Sequence, residues 1–104
     1  MARVLVEQTL TEPLTDERYA KLSKQLDPCL EIRNGAWRRS SLSKDKLRLI
    51  CEFGAPGADW VREALHMAKV PSDRVWPADV FAVEDYPEMA QKLAAVVGKN
   101  EKRP

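Results

Sequence analysis

No apolar run in this chain approaches the ~18 residues that a membrane-spanning helix needs, so none is expected. The opening Met1-Ala2-Arg3-Val4-Leu5-Val6-Glu7 places an acid where the apolar stretch of a signal peptide would continue, and the expected compartment is the cytoplasm. Two cysteines, Cys29 and Cys51, make neither a disulfide framework nor a close metal-type pair. With one histidine, His66, a metal site built from imidazoles is excluded; any site must recruit Cys, Asp or Glu. Charge of one sign is also lacking. The 17 basic and 16 acidic residues interleave to a net charge of +1, without the basic stripe that nucleic acid demands. Only Lys99 to Arg103 lean basic, and they read as a polar tail. Glycine is scarce, at four residues. The Gly54-Ala55-Pro56-Gly57 turn lacks the spaced glycines and the lysine of a phosphate-binding loop.

What is present suffices for one domain with a modest core, since 44% of the 104 residues are apolar. Arg3 to Gln8 alternates as a strand, with Val4, Val6 and Gln8 facing a core. Thr15 is a fitting helix N-cap, and Asp16 and Glu17 put negative charge in the first turn. Tyr19, Leu22 and Leu26 form the apolar stripe of that helix, which Asp27-Pro28 is expected to end, leaving Cys29 in a connection. Leu30 to Ser41 then reads as a strand with a soft start at Asn34-Gly35, firm from Ala36 to Leu42. The polar turn Ser43 to Lys46 leads into a second strand, Leu47 to Phe53. A second helix opens at Ala55-Pro56-Gly57, carries Val61, Ala64, Leu65 and Ala68 on one face, and closes at Val70-Pro71-Ser72-Asp73. Arg74 to Glu84 is the last predicted strand, with an edge or bulge at Pro77. Pro87 to Val97 reads as a short helix stopped by Gly98.

The order is βαββαβ. It predicts a ferredoxin-like α+β sandwich: a four-stranded antiparallel sheet over residues 1–85 with two helices on one face, followed by a helical extension and tail over 86–104. The second face of such a sheet has no cover. By alternation it carries Leu5, Ile50, Phe81 and Val83 together with Glu7, Arg48, Glu52 and Asp79, and Trp37 and Arg39 of the edge strand join them. Apolar surface of that extent calls for a partner. Pairing sheet to sheet in a homodimer would leave the charged positions lining a cavity; the C-terminal helix folding back is the competing cover.

Glu7, Trp37, Arg39, Arg48, Glu52 and Asp79 are therefore the candidate ligand-binding residues, against the plainer reading of a solvated face with cross-strand ion pairs. Carboxylates enclosed there would be candidates for moving protons. Arg38 and Arg39, as neighbours on a strand, point to opposite faces and are not a joint clamp. His66 and Cys51 are the weak metal candidates: the histidine reads as a solvated helix residue, and Cys51, alternating with Leu49 and Phe53, as a small core residue. Trp76 reads as packing or a contact with a second copy, and Trp60 as surface cover.

The run Trp37, Ser40, Leu42-Ser43, Asp45, Arg48, Cys51, Phe53, Ala55-Pro56, Val61-Arg62, Ala64, Ala68, Val70-Pro71, Asp73-Arg74-Val75-Trp76-Pro77-Ala78 resembles a bacterial family of small domains of unknown function. Its best-described type is a nickel-binding, nickel-responsive protein. The resemblance spans roughly residues 2 to 84. It implies a ferredoxin-like fold, a homodimer, and nickel or another divalent metal as a cofactor. Members of one branch carry a histidine just after an Arg-Glu pair in the second helix, where this chain has Arg62-Glu63-Ala64 and then His66. Three functions follow. The first is a small-molecule or metal-ion binding protein. The second is a cofactor-independent enzyme of isomerase, cyclase or oxygenase type between two sheets. The third is a protein-interaction module. No nucleic-acid or membrane partner is expected.

Overall fold

The computed structural model describes the backbone of residues 1–101 and the side-chain surroundings of 1–98. Of the basic tail, Lys102 and Arg103 lie outside the described backbone, and the side chains from Lys99 onward lie outside the described surroundings. Four strands form one antiparallel sheet in the order β2-β3-β1-β4: β1 (Ala2–Thr9), β2 (Ala36–Leu42), β3 (Arg48–Ala55) and β4 (Arg74–Ala78). Helices α1 (Asp16–Glu31) and α2 (Ala58–Met67) pack on one face, and α3 (Pro87–Glu101) follows a short 3₁₀ turn at Val83–Asp85. This is the expected ferredoxin-like arrangement. The long strands β1 and β3 occupy the centre because they alone alternate fully: Val4, Val6, Gln8, Leu49, Cys51, Phe53 and Ala55 are buried. Against them lie Leu26 and Leu30 from α1 and Val61, Ala64 and Leu65 from α2. The buried Gln8 amide is satisfied, donating to the carbonyl of Pro71 at 2.8 Å.

Three boundaries differ from expectation. Helix α1 does not end at Asp27-Pro28 but runs through the proline to Glu31, so Cys29 sits on the helix and Leu30 is a core residue, not the start of a strand. Burying Leu30 outweighs the backbone bond that Pro28 removes. Asn34 then takes the left-handed conformation (φ 56°), and the Gly35 amide donates to the Leu30 carbonyl at 2.8 Å, closing the helix one turn later. The last strand stops at Ala78, one residue beyond Pro77, and Asp79 to Ala82 leave the sheet. Helix α3 continues past Gly98, where an added Cβ would meet nothing: with no tertiary neighbour there to impose a cap, a lone glycine costs only about 1 kcal/mol.

Among the described residues the only contacts of helix α3 with other elements are to the 3₁₀ turn, so the fold-back cover is not what forms. Met89, Leu93, Val96 and Val97 remain exposed along it.

Candidate functional site

The open face begins with β1, where Arg3, Leu5 and Glu7 alternate away from the core. Register places Leu5 between Glu52 of β3 and Trp76 of β4, and Glu7 between Ile50 and Arg74. The indole of Trp76 donates to Glu7 Oε2 at 2.9 Å, which fixes that ring against the sheet. Beyond β4, Asp79 to Phe81 turn beside the same face and with Leu5, Ile50, Trp76, Arg39 and Glu52 line an open cavity of about 410 Å³.

On the edge strand the alternation breaks. Trp37 pairs with Phe53, Arg39 with Glu52, and Arg38 is the extra residue of a β-bulge. The slip puts Trp37 and Ser40, three residues apart, on the helix side. There Ser40 Oγ accepts from the Trp37 indole at 2.9 Å, lies 3.0 Å from the Tyr19 hydroxyl and approaches Cys51 Sγ at 3.3 Å. The Trp37 ring packs tilted against both Tyr19 and Phe53, with centroids 5.3 Å apart in each pair. It thus packs on the helix side of the sheet, not on the open face where alternation put it.

The same bulge brings Arg38 and Arg39 onto one carboxylate, which regular alternation forbids. Glu52 is almost fully buried, with 7% of its side chain exposed, and both of its oxygens face guanidinium groups. Arg39 Nη2 donates to Oε1 at 3.4 Å, while Arg3 Nη1 and Arg38 Nε approach Oε2 at 3.1 and 3.2 Å. Arg48 takes no part in the cluster: it stands opposite Thr9, at the far end of β3. A second cavity, about 280 Å³, opens over the cluster between Arg3, Arg38, Arg39, Glu52, Val80, Ala82 and Asp85.

Of the expected residues, then, the structure gathers Arg39, Glu52 and Asp79 around one space, links Glu7 to its wall through Trp76, and leaves Arg48 and Trp37 outside it. Sequence reasoning missed Arg3 and Arg38. The first was available from its parity with Leu5 and Glu7. The second depends on the bulge, which nothing in the residue pattern announces.

The weak metal candidates stand apart. His66 is exposed on α2, on the far side of the sheet, whereas Cys51 is in the core. Burial pushes the Cys51 thiol above its ordinary value, with the Ser40 hydrogen bond opposing in part, and this disfavours the thiolate a metal would need. Among the described residues no three His, Cys, Asp or Glu side chains come together as a metal site. The donor set does not fit a divalent cation; around Glu52 it is cationic instead.

The family model described as nickel responsive protein SCO4226-like matches residues 5–78. The chain belongs to this family. The matched span contains β1 from Leu5 onward, both packing helices and the whole of β2, β3 and β4, while Arg3, Asp79 to Phe81 and α3 lie beyond it. Among solved structures, the chain is similar to SCO4226 from Streptomyces coelicolor A3(2), with a TM-score of 0.70 at 12% identity over 78% of this chain and 100% of that one. That likeness carries the fold alone. No curated protein matches the chain.

Proposed function

We propose that this member of the SCO4226-like family is a small-ligand-binding protein whose site is the open face of the sheet. The observation that carries the reading is the cavity of about 410 Å³ between that face and residues 79–81, which combines an apolar floor (Leu5, Ile50, Trp76) with polar groups at one end (Arg39, Glu52). Its size and mixed lining suit a small organic molecule. The family's name points to nickel, but the donor set described above favours no cation, and nickel is not assigned to His66 or Cys51. Nor does the geometry favour the enzymatic alternative, because both Glu52 oxygens are engaged by arginines.

Ile50, Trp76 and Phe81 are 41%, 40% and 78% exposed on this face, and a second copy meeting it sheet to sheet would cover them and close the cavity. We propose that homodimer, to be checked as a light-scattering mass near twice 11.8 kDa. Two free thiols, and no described helix long and apolar enough to cross a membrane, support the cytoplasm as its location.

The site is tested by screening small organic molecules by NMR against the wild type and a Leu5→Arg variant, which fills the floor. Hits should move the Trp76 indole signal and be lost in the variant, with the Trp37 signal on the opposite face unmoved. Hits that survive Leu5→Arg unchanged would place the site elsewhere.

A further inference from the structure

The cluster around Glu52 holds more positive charge than one carboxylate can use. Three guanidiniums converge on it, and each spends a single nitrogen there: Nη1 of Arg3, Nε of Arg38 and Nη2 of Arg39. Among the described residues no other acceptor is shown for their remaining N–H groups. A guanidinium presents its donors as a planar fork, so one edge held by Glu52 orients the other edge. The three side chains are 34%, 48% and 69% exposed, while Glu52 is nearly sealed beneath them. The carboxylate is thus the floor that positions the arginines, and the cavity of about 280 Å³ lies in front of their free donors. That cavity shares Arg39, Glu52 and Val80 with the larger one lined by Leu5, Ile50, Trp76 and Phe81. A charged end and an apolar end therefore adjoin.

We infer that the ligand of this face is an amphiphilic organic anion, its carboxylate or phosphoryl head held by Arg3, Arg38 and Arg39 and its apolar body laid along Leu5, Ile50, Trp76 and Phe81. This rests on the open-face reading above and names the ligand class. The two acids at the cavity rims, Asp79 and Asp85, are exposed and solvated, so they oppose the anion only weakly. Charge-assisted bonds to a planar head are worth about tenfold in affinity each.

The experiment is an NMR titration of the full-length protein with octanoate, octyl phosphate, octanamide, octylammonium and inorganic phosphate. The three indole N–H signals are read separately: Trp76 on the face, with Trp37 and Trp60 as internal controls. Octanoate or octyl phosphate should move Trp76 saturably, at least about tenfold more tightly than octanamide, and octylammonium should not move it. Arg38→Gln and Arg39→Gln should each weaken the anion about tenfold while leaving octanamide unchanged, and Asp85→Asn should tighten it. Undisturbed Trp37 signals in these variants show that they are folded. Octanamide binding as tightly as octanoate overturns the anion inference and leaves the open-face site standing. Inorganic phosphate binding as tightly as the octyl anions removes the apolar body from it. No movement of Trp76 with any probe, or equal movement of all three indoles, overturns both.

Discussion

Glu52 is the residue on which the face depends, and its contribution has a sign that can be worked out. Removing its charge leaves Arg3, Arg38 and Arg39 close together with nothing between them, over a sheet whose other side is core. Because the arginines are partly solvated, the penalty is smaller than for a sealed ion pair. Glu52→Gln should lower unfolding free energy by about 1–3 kcal/mol in urea melts. Part of that loss should return in 0.5 M salt, which shortens the Debye length to a few ångströms. A variant as stable as wild type at low salt would show that the cluster is not an ion-pair network. At Cys51 the cause is burial. Its thiol is held above the ordinary value of 9.0, so the neutral form is the folded one. Stability from this group is complete below the unfolded value and falls as pH rises past it. Cys29 is only half-buried, on α1. Thiol titration of the native protein at pH 8 should therefore report one reacting cysteine, and two in denaturant; Cys51→Val should leave the native count unchanged. Native reaction of both would mean that the core opens readily.

Among the elements, α1 shows where local rules yield to packing. A proline inside a helix costs about 3 kcal/mol relative to alanine, yet Pro28 is followed by another turn because Leu30 is 2% exposed in the core. Pro28→Ala should restore the missing backbone bond and raise stability by about 1–2 kcal/mol, the remainder being offset by the freer unfolded chain. A lowered melting temperature would show that the proline, not the burial, shapes that last turn. The same competition explains what could be read from the residues alone. The central strands, the α2 face and the element order were legible, since Val4/Val6, Leu49/Cys51/Phe53 and Val61/Ala64/Leu65 each carry a clean period. The end of α1 was not, because the residue-before-proline rule is local whereas Leu30 answers to the core. The bulge at Arg38 was not either: it is chosen by the fit of Trp37 between Tyr19 and Phe53, a contact across three elements. As a result the alternation that correctly placed Glu52 and Glu7 misplaced Trp37 and divided two arginines that act together.

For the whole molecule, the question is what α3 does for the rest. The radius of gyration is 16.1 Å, against about 13 Å for a compact chain of this length, and the extents are 45 × 32 × 20 Å. The excess is what a helix of ~22 Å adds when, among the described residues, it rests only on the turn before it. The family match ends at residue 78, and the whole SCO4226 chain is accounted for by 78% of this one. We therefore propose residues 1–85 as the folding unit. A chain ending at Asp85 should unfold within about 1 kcal/mol of full length in urea, because no core contact is removed. Its light-scattering mass decides between two ways of covering the exposed face. If the copies meet sheet to sheet, the shortened chain remains a dimer, since Leu5, Ile50, Trp76 and Phe81 are all retained. If instead the apolar stripe of α3 (Met89, Leu93, Val96, Val97) reaches across to a second copy, truncation yields a monomer, and the sheet-to-sheet proposal fails. A drop of more than about 3 kcal/mol on truncation would show that α3 stabilises the unit it follows, and the boundary at 85 would have to be abandoned.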